Sequence, residues 1–156
     1  MPHVRQEITM TRRPFRLDAP PEALDDDPPV TELMTHRIVA IVPEADLAVA
    51  LRLMDAHGVR HLPVLDGERC VGLVLETDVA RLLAGGRPEP GVPRLRVADV
   101  CRTAPALEPA ARRSAAARSM HAGGIDAVLV TDGDRLLGIV TATDLIRSLA
   151  ADGGNR

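Results

Sequence analysis

The chain repeats itself with an offset of 66 residues. Between 58–83 and 124–149, 11 of 26 positions are identical, and most of the others exchange one apolar residue for another. The segments VTELM (30–34) and VADVC (97–101) also match, at an offset of 67. Self-similarity of this length indicates one supersecondary unit that is built twice. The fold is therefore predicted to contain the same unit in two copies that pack on each other.

The first copy predicts the element order β-α-β-β-α. A short apolar run at 38–42 leads into a helix whose apolar residues recur at i, i+3, i+4 and i+7, with Asp46 as its N-cap and Gly58 as its stop. Two apolar runs around the Asp-Gly turn at 66–68 predict a β-hairpin. A last helix is expected to begin at Thr77.

The second copy repeats this order with a weaker first helix. Its leading strand is predicted at 106–107, and Arg112 stands at the position of the capping aspartate. The hairpin turn falls at 132–134, and the last helix is expected to begin at Thr143. Because a unit of about 55 residues is marginal alone, the two copies are expected to form one domain of the α/β (α+β) class.

Five segments follow from this organisation. We expect a disordered tail at 1–29, the repeats at 30–83 and 96–150, a linker at 84–95 and a C-terminal tail at 151–156. The first tail mixes charges of both signs with prolines and has no helical or strand period, and its acidic run is expected to be solvated. The linker carries three glycines and three prolines.

The composition argues against several classes of partner. A net charge of −3 gives no overall attraction to nucleic acid or to a membrane surface. Phe15 is the only aromatic residue, which removes the stacking platforms of single-strand binders. No apolar run approaches the roughly 18 residues of a membrane span. Cys70 and Cys101 fit neither a disulfide framework nor a metal site, so we expect a cytoplasmic protein without nucleic-acid or membrane partners.

Three stretches occur in order in the first copy and have counterparts in the second: VTELM, VPEADLAVALRLMDAHGVRHLPVLD and GLVLETDV. Residues 30–150 thereby resemble a tandem pair of CBS domains, the Bateman module. The resemblance implies two β-α-β-β-α repeats that pack through their sheets with pseudo-two-fold symmetry and leave two clefts. It also implies a non-catalytic regulatory module that forms a homodimer and signals to a partner protein.

The resemblance further implies an adenosine-containing ligand, and no required cofactor. The candidates are AMP, ADP, ATP, NAD, S-adenosylmethionine and cyclic di-AMP. The family's ribose signature is a glycine, a short strand, and a Ser or Thr three residues before an Asp that opens the last helix. GIVTATDL supplies Thr141 and Asp144, whereas GLVLETDV supplies Asp78 but has Leu75 in place of the hydroxyl.

The chemistry of the signature distinguishes the two copies. A carboxylate near a helix N-terminus can accept both hydroxyls of a ribose, and a threonine hydroxyl can add a donor that Leu75 lacks. The cleft of Thr141 and Asp144 is therefore predicted to be the ligand site. The cleft of Leu75 and Asp78 is predicted to be the weaker one.

Further contacts follow from the family pattern. The basic pair Arg60 and His61 occupies the place that often faces phosphate, whereas its counterpart in the second copy begins with Asp126, whose carboxylate would repel phosphate. A ligand with few phosphates, or none, is therefore favoured. Ile38 and Val39 are expected to face the adenine.

A structural interpretation stays open beside this one. Aspartate at a helix start is a common cap, threonine is a common strand residue, and Leu75 suits a cleft filled by side chains. The alternative is a ligand-free structural or interaction module that acts through dimerisation and partner docking.

No other chemistry is predicted. There is no P-loop, dinucleotide fingerprint or nucleophile elbow, so no catalytic residue and no enzyme activity are expected. His57 and His61 have an H-x-x-x-H spacing, but Gly58 ends the helix between them, so no metal site is expected.

Overall fold

Two antiparallel hairpins, each flanked by helices, form the fold. The computed structural model describes residues 27–87 and 89–153. The elements of this part of the chain are α1 (Val30–Leu33), α2 (Leu47–His57), β1 (His61–Asp66), β2 (Arg69–Leu75), α3 (Glu76–Leu83), α4 (Val97–Val100), β3 (Ala106–Leu107), α5 (Arg113–Gly123), β4 (Ala127–Asp132), β5 (Arg135–Thr141) and α6 (Ala142–Gly153).

The strands form one five-stranded sheet in the order β1-β2-β5-β4-β3. β1 pairs antiparallel with β2 and β4 with β5, and the strand pairing between the two hairpins is the bridge between Arg69 and Arg135. An apolar cluster joins the two hairpins. Its buried members are Leu73, Ile125, Ala127, Leu129 and Ile139. The predicted mixed α/β architecture of two packed repeats is confirmed.

Glycines set the turns where the sequence predicts them. Gly58 and Gly124 follow α2 and α5 in the left-handed conformation, with φ of 63° and 59°. Gly67 and Gly133 hold positive φ in the two hairpin turns. Each last helix begins one residue earlier than predicted, at Glu76 and Ala142.

The leading strand of the first repeat is shorter than predicted. Of the run 38–42, only Ile41 forms a bridge, parallel to Val64, whereas β3 in the second repeat pairs two residues with β4. Pro43 follows two residues later and has no N–H to continue the pairing.

The two short leading helices are exchanged between the repeats. Val30 of α1 is fully buried in the core of the second repeat, beside Met120 and Val128. Val97 of α4 is fully buried in the core of the first repeat, beside Met54. Each predicted repeat segment therefore contributes its first helix to the core of the other repeat, which ties the two copies together.

Gly72 and Gly138 lie where these exchanged segments cross the hairpins. A Cβ at Gly138 would lie 2.5 Å from Met34 Sδ and 3.0 Å from the Thr35 carbonyl oxygen, and one at Gly72 would lie 2.5 Å from the Arg102 carbonyl oxygen. The backbone N–H groups of Thr35 and Arg102 bond to the strands at 2.9 Å. Because these glycines have no side chain, they leave room for the segments that contain Thr35 and Arg102 to reach the clefts.

Residues 27–29, the end of the predicted tail at 1–29, lie within the described residues and contact the second repeat. Asp27 accepts hydrogen bonds from the backbone N–H and the hydroxyl of Ser114, at 2.8 and 2.6 Å, in the first turn of α5. These bonds lower the pKa of the Asp27 carboxyl. Because Arg112 precedes α5 and offers no carboxylate, a residue from before the first repeat caps this helix. The rest of the predicted tails, residues 1–26 and 154–156, lies outside the described residues.

Candidate functional site

A cleft of about 400 Å³ between the repeats, called cleft 1 below, brings together all six residues predicted for the ligand site. Four of these residues come from the first repeat and two from the second: Ile38, Val39, Arg60, His61, Thr141 and Asp144. Sequence reasoning did not assign several other lining residues, among them Thr35, Arg37 and Arg147. Cleft 1 therefore requires the contact between the copies.

Asp144 lies in the first turn of α6, on the floor of cleft 1. The backbone N–H and the hydroxyl of Thr141 both donate to Asp144 Oδ2, at 2.9 and 3.0 Å. Asp144 Oδ1 accepts one longer bond of 3.3 Å from Arg147, whose side chain is 74% exposed. Because a carboxylate oxygen has two lone pairs, Oδ1 keeps acceptor capacity beside this one bond.

The lining of cleft 1 also contains the basic pair Arg60 and His61 and a second carboxylate, Asp126. His61 Nε2 lies 2.7 Å from Asp126 Oδ1, and the His61 side chain is only 10% exposed. This hydrogen bond is the main reason that the pKa of Asp126 lies below its usual value. The carboxyl is therefore ionised at neutral pH, and the ring nitrogen is the donor. Asp126 lines cleft 1 and also the second cleft, so it belongs to both.

The second cleft, called cleft 2, has a volume of about 570 Å³ and contains Leu75 and Asp78. Arg102 binds Asp78 with two parallel hydrogen bonds, from Nε to Oδ2 at 2.6 Å and from Nη2 to Oδ1 at 2.7 Å. Bidentate pairs of this kind are among the stronger side-chain contacts. Both oxygens of Asp78 are thus occupied by a side chain of the same chain.

The repeat alignment explains why the two carboxylates differ. Arg81 and Arg147 are equivalent at an offset of 66, and both contact the aspartate three residues before them, at 3.8 and 3.3 Å. Arg102 is the counterpart of Thr35 at an offset of 67. The short Thr35 side chain leaves Asp144 open, whereas the long guanidinium side chain closes Asp78. The offset alignment was the signal that could have identified Arg102.

The remaining chemistry-bearing side chains of the described residues form no further centre. No three His, Cys, Asp or Glu side chains between residues 27 and 153, apart from residue 88, come together where they could hold a metal ion. Cys70 and Cys101 are unpaired, and burial raises the pKa of both thiols. Such thiols are poor nucleophiles at neutral pH.

A family model for the CBS domain matches the chain twice, at residues 30–85 and 97–151. These two matches cover more than half of the sequence. The chain belongs to the CBS domain family. Among its curated relatives, an uncharacterized protein of Methanocaldococcus jannaschii is 29% identical over 126 residues, which is 80% of this chain and 44% of the relative. The CBS domain-containing protein YhcV of Bacillus subtilis is 34% identical over 71 residues, 46% of this chain and 51% of that protein. The chain thus spans about half the length of these relatives.

Solved structures of CBS pairs share the fold. The CBS domain pair of protein MJ0100, in complex with 5′-methylthioadenosine and S-adenosyl-L-methionine, has a TM-score of 0.71 at 20% identity and covers 81% of this chain and 98% of that one. The CBS domain of a bacterial CNNM/CorC family Mg²⁺ transporter, in complex with ATP, has a TM-score of 0.66 at 24% identity, with coverages of 78% and 87%. A putative signal-transduction protein with CBS domains from Burkholderia ambifaria has a TM-score of 0.70 at 24% identity, with coverages of 80% and 96%. Within residues 27–87 and 89–153, no helix of this CBS pair has the length and apolar character that a membrane crossing requires.

Proposed function

We propose that this CBS pair is a non-catalytic regulatory module that binds one adenosine-containing ligand in cleft 1 and signals to a partner protein. The observation that carries the proposal is the contrast between the two equivalent carboxylates. The arginine contact of Asp144 in the described residues is a single bond of 3.3 Å from the exposed Arg147, whereas Arg102 holds both oxygens of Asp78 at 2.6 and 2.7 Å. We therefore expect one ligand per chain.

The lining of cleft 1 supports an adenosine ligand in a defined orientation. The ribose hydroxyls donate to Asp144, as hydroxyl groups donate to an ionised carboxylate. The base packs against Ile38 and Val39, which are partly buried apolar side chains of the first repeat. Groups attached to the 5′ carbon extend toward Arg60 and His61. The MJ0100 and CNNM/CorC structures, whose CBS domains hold ligands of this class, support the assignment.

The origin of the lining residues suggests how binding is communicated. A ligand in cleft 1 contacts Ile38 and Val39 of the first repeat and Asp144 of the second, so it binds best at one relative position of the repeats. A ligand shifts a conformational equilibrium by its difference in affinity for the two states. We propose that the partner protein recognises the relative position that the ligand favours. The reduced cysteines fit a cytoplasmic module.

Exposed apolar side chains support the proposal of a homodimer. Large side chains are exposed on the last helices of both repeats, at Leu82 and Leu83 in α3 and at Ile146 and Leu149 in α6. Equivalent helices that both leave apolar surface in contact with water are suited to a second CBS pair.

The test is titration calorimetry of the purified chain with adenosine, AMP, ADP, ATP, NAD, S-adenosylmethionine and cyclic di-AMP. We expect at least one of these compounds to bind at one molecule per chain. Asp144→Asn should weaken that binding by at least tenfold, because the amide lacks the charge that strengthens the ribose bonds. Asp78→Asn is the matched control in cleft 2 and should retain the affinity.

Two outcomes would contradict this function. Binding that is lost with Asp78→Asn but kept with Asp144→Asn would move the site to cleft 2. No binding at millimolar concentration would favour the ligand-free interaction module. One observation favours that second candidate: both aspartates already contact an arginine of this chain in the described residues.

A further inference from the structure

We infer that Asp126 makes cleft 1 selective for adenosine ligands with no more than one phosphate group. This inference rests on the proposed function and specifies its ligand class. It starts from the position of Asp126, which precedes β4 and lines cleft 1 together with Asp144 and the basic pair Arg60 and His61.

The His61–Asp126 hydrogen bond fixes a negative charge at the phosphate end of cleft 1. The bond is 2.7 Å long, and the backbone carbonyl of Asp126 also accepts a bond from the Ala142 N–H at 2.9 Å. The first bond holds the carboxylate beside His61, and the second holds the Asp126 backbone beside the start of α6. His61 donates the N–H of Nε2 to Asp126, so this donor is not available to a phosphate group.

The other charges of cleft 1 leave about one positive charge uncompensated. Arg147 contacts Asp144, and Arg60 lies between Glu76, at 3.8 Å, and the charge of Asp126. Arg37 lines the same cleft, is exposed, and has no ion-pair or hydrogen-bond partner within residues 27–87 and 89–153.

This balance suits a single phosphate group. One phosphate can face Arg37 and Arg60 at a distance from the carboxylate. Each further phosphate adds negative charge near Asp126 that no free cation of the cleft offsets. Coulomb repulsion between two unit charges about 4 Å apart corresponds to about a fivefold loss of affinity even at the dielectric constant of water.

The experiment measures the affinities of adenosine, AMP, ADP and ATP without Mg²⁺ for the wild-type chain and for Asp126→Asn. We expect the wild type to bind AMP at least about tenfold more tightly than ATP. Asn keeps an oxygen acceptor for His61 but removes the charge, so the AMP preference of Asp126→Asn should fall to about twofold or less. Asp134→Asn, which removes an exposed carboxylate from the hairpin turn outside both clefts, should keep the wild-type preference.

The double variant Asp126→Asn/Asp144→Asn shows in which cleft the gain in ATP affinity of Asp126→Asn arises. ATP that binds in cleft 1 should bind more weakly when the Asp144 charge is also lost. An AMP-to-ATP ratio that is equal in the wild type and in Asp126→Asn would overturn the inference and leave the proposed function standing. So would an ATP gain that the double variant fully retains. If none of the four compounds binds either protein, the inference fails, and the proposed function then depends on NAD, S-adenosylmethionine and cyclic di-AMP.

Discussion

The two clefts are built from the same unit but end in opposite states. Both have an aspartate in the first turn of the last helix, and both have an arginine three residues after it. The two clefts differ in the lining residue that comes from the exchanged leading segment, which is Thr35 in cleft 1 and Arg102 in cleft 2. The two repeats thus contain equivalent carboxylates. The residue in the crossing segment decides which of them is held in an arginine pair by its own chain.

Burial makes this difference large. The side chains of Asp78 and Asp144 are each only 11% exposed, so neither charge is well solvated. A buried charge needs a partner. In cleft 2 the partner is the Arg102 guanidinium, whereas in cleft 1 Thr141, Arg147 and, in our proposal, the ligand share this role.

The largest expected effect comes from giving cleft 1 the arginine of cleft 2. Thr35→Arg should pair with Asp144 as Arg102 pairs with Asp78, and it should lower the affinity for the adenosine ligand by at least about 100-fold, which is the scale of a lost charge-assisted pair of bonds. Calorimetry with the ligand of the wild type measures this loss.

Thr35→Met is the control for Thr35→Arg, since it adds bulk without charge and should cost less affinity. If Thr35→Arg bound the ligand as tightly as the wild type, the residue at this position would not decide which cleft is open.

The reverse exchange should allow cleft 2 to bind the ligand. Arg102→Thr frees Asp78, and Leu75→Thr restores the hydroxyl three residues before it. The double variant should bind a second ligand per chain, more weakly than the first, because Asp126 and Ala127 stand where cleft 1 has Arg60 and His61. The measured quantity is the stoichiometry, which should rise from one to two.

One single variant completes this test of cleft 2. Leu75→Thr alone should leave the stoichiometry at one, since Arg102 still occupies Asp78. A second site in Leu75→Thr, or none in the double variant at millimolar ligand, would show that the Arg102–Asp78 pair is not what closes cleft 2.

Local sequence signals account for the hairpins and the helix stops, whereas the six residues that line cleft 1 were expected from the resemblance to CBS domains. The Asp-Gly turns and the helix stops at Gly58 and Gly124 need a positive φ, which glycine adopts readily. A few neighbouring residues are therefore enough to predict them. The exchanged leading helices, the Arg102–Asp78 pair and the Asp27 cap were not predicted. Each of these depends on contact between segments that are at least 24 residues apart, on which hydrophobic periodicity carries no information.

The crossing glycines provide a stability test of the same two segments. Gly72→Ala should cost about 2–3 kcal/mol of unfolding free energy and Gly138→Ala about 1–2 kcal/mol, the scale of overpacked sites. The closest obstacles at Gly72 are a backbone carbonyl and Cys101 Sγ, both at 2.5 Å, whereas at Gly138 they are atoms of the flexible Met34 side chain. Urea unfolding followed by circular dichroism measures both values.

Gly153→Ala, at a glycine with no atom near its added Cβ, is the control for these substitutions and should change stability little. A loss at Gly138 that equals or exceeds the loss at Gly72 would contradict the assignment of the more rigid crossing to the segment of Arg102.

The smallest effect concerns the first helices of the two repeats. α2 begins after Asp46, whose side chain makes no capping bond, whereas α5 depends on Asp27 from outside its own repeat. Asp27→Ala should therefore lower the unfolding free energy by about 1 kcal/mol, the usual cost of a lost helix cap. Asp46→Ala should cost less than half of that.

The pH dependence gives an independent check on the Asp27 cap. The folded-state pKa of Asp27 is lower than its unfolded value, so its stabilisation is fully present above the unfolded pKa of about 3.9 and is lost as the pH falls through the folded pKa. The stability difference between the wild type and Asp27→Ala should be constant from pH 5 to pH 7 and should shrink below pH 4. A difference that persists unchanged at pH 2.5 would mean that packing around Asp27, and not its carboxylate, holds the start of α5.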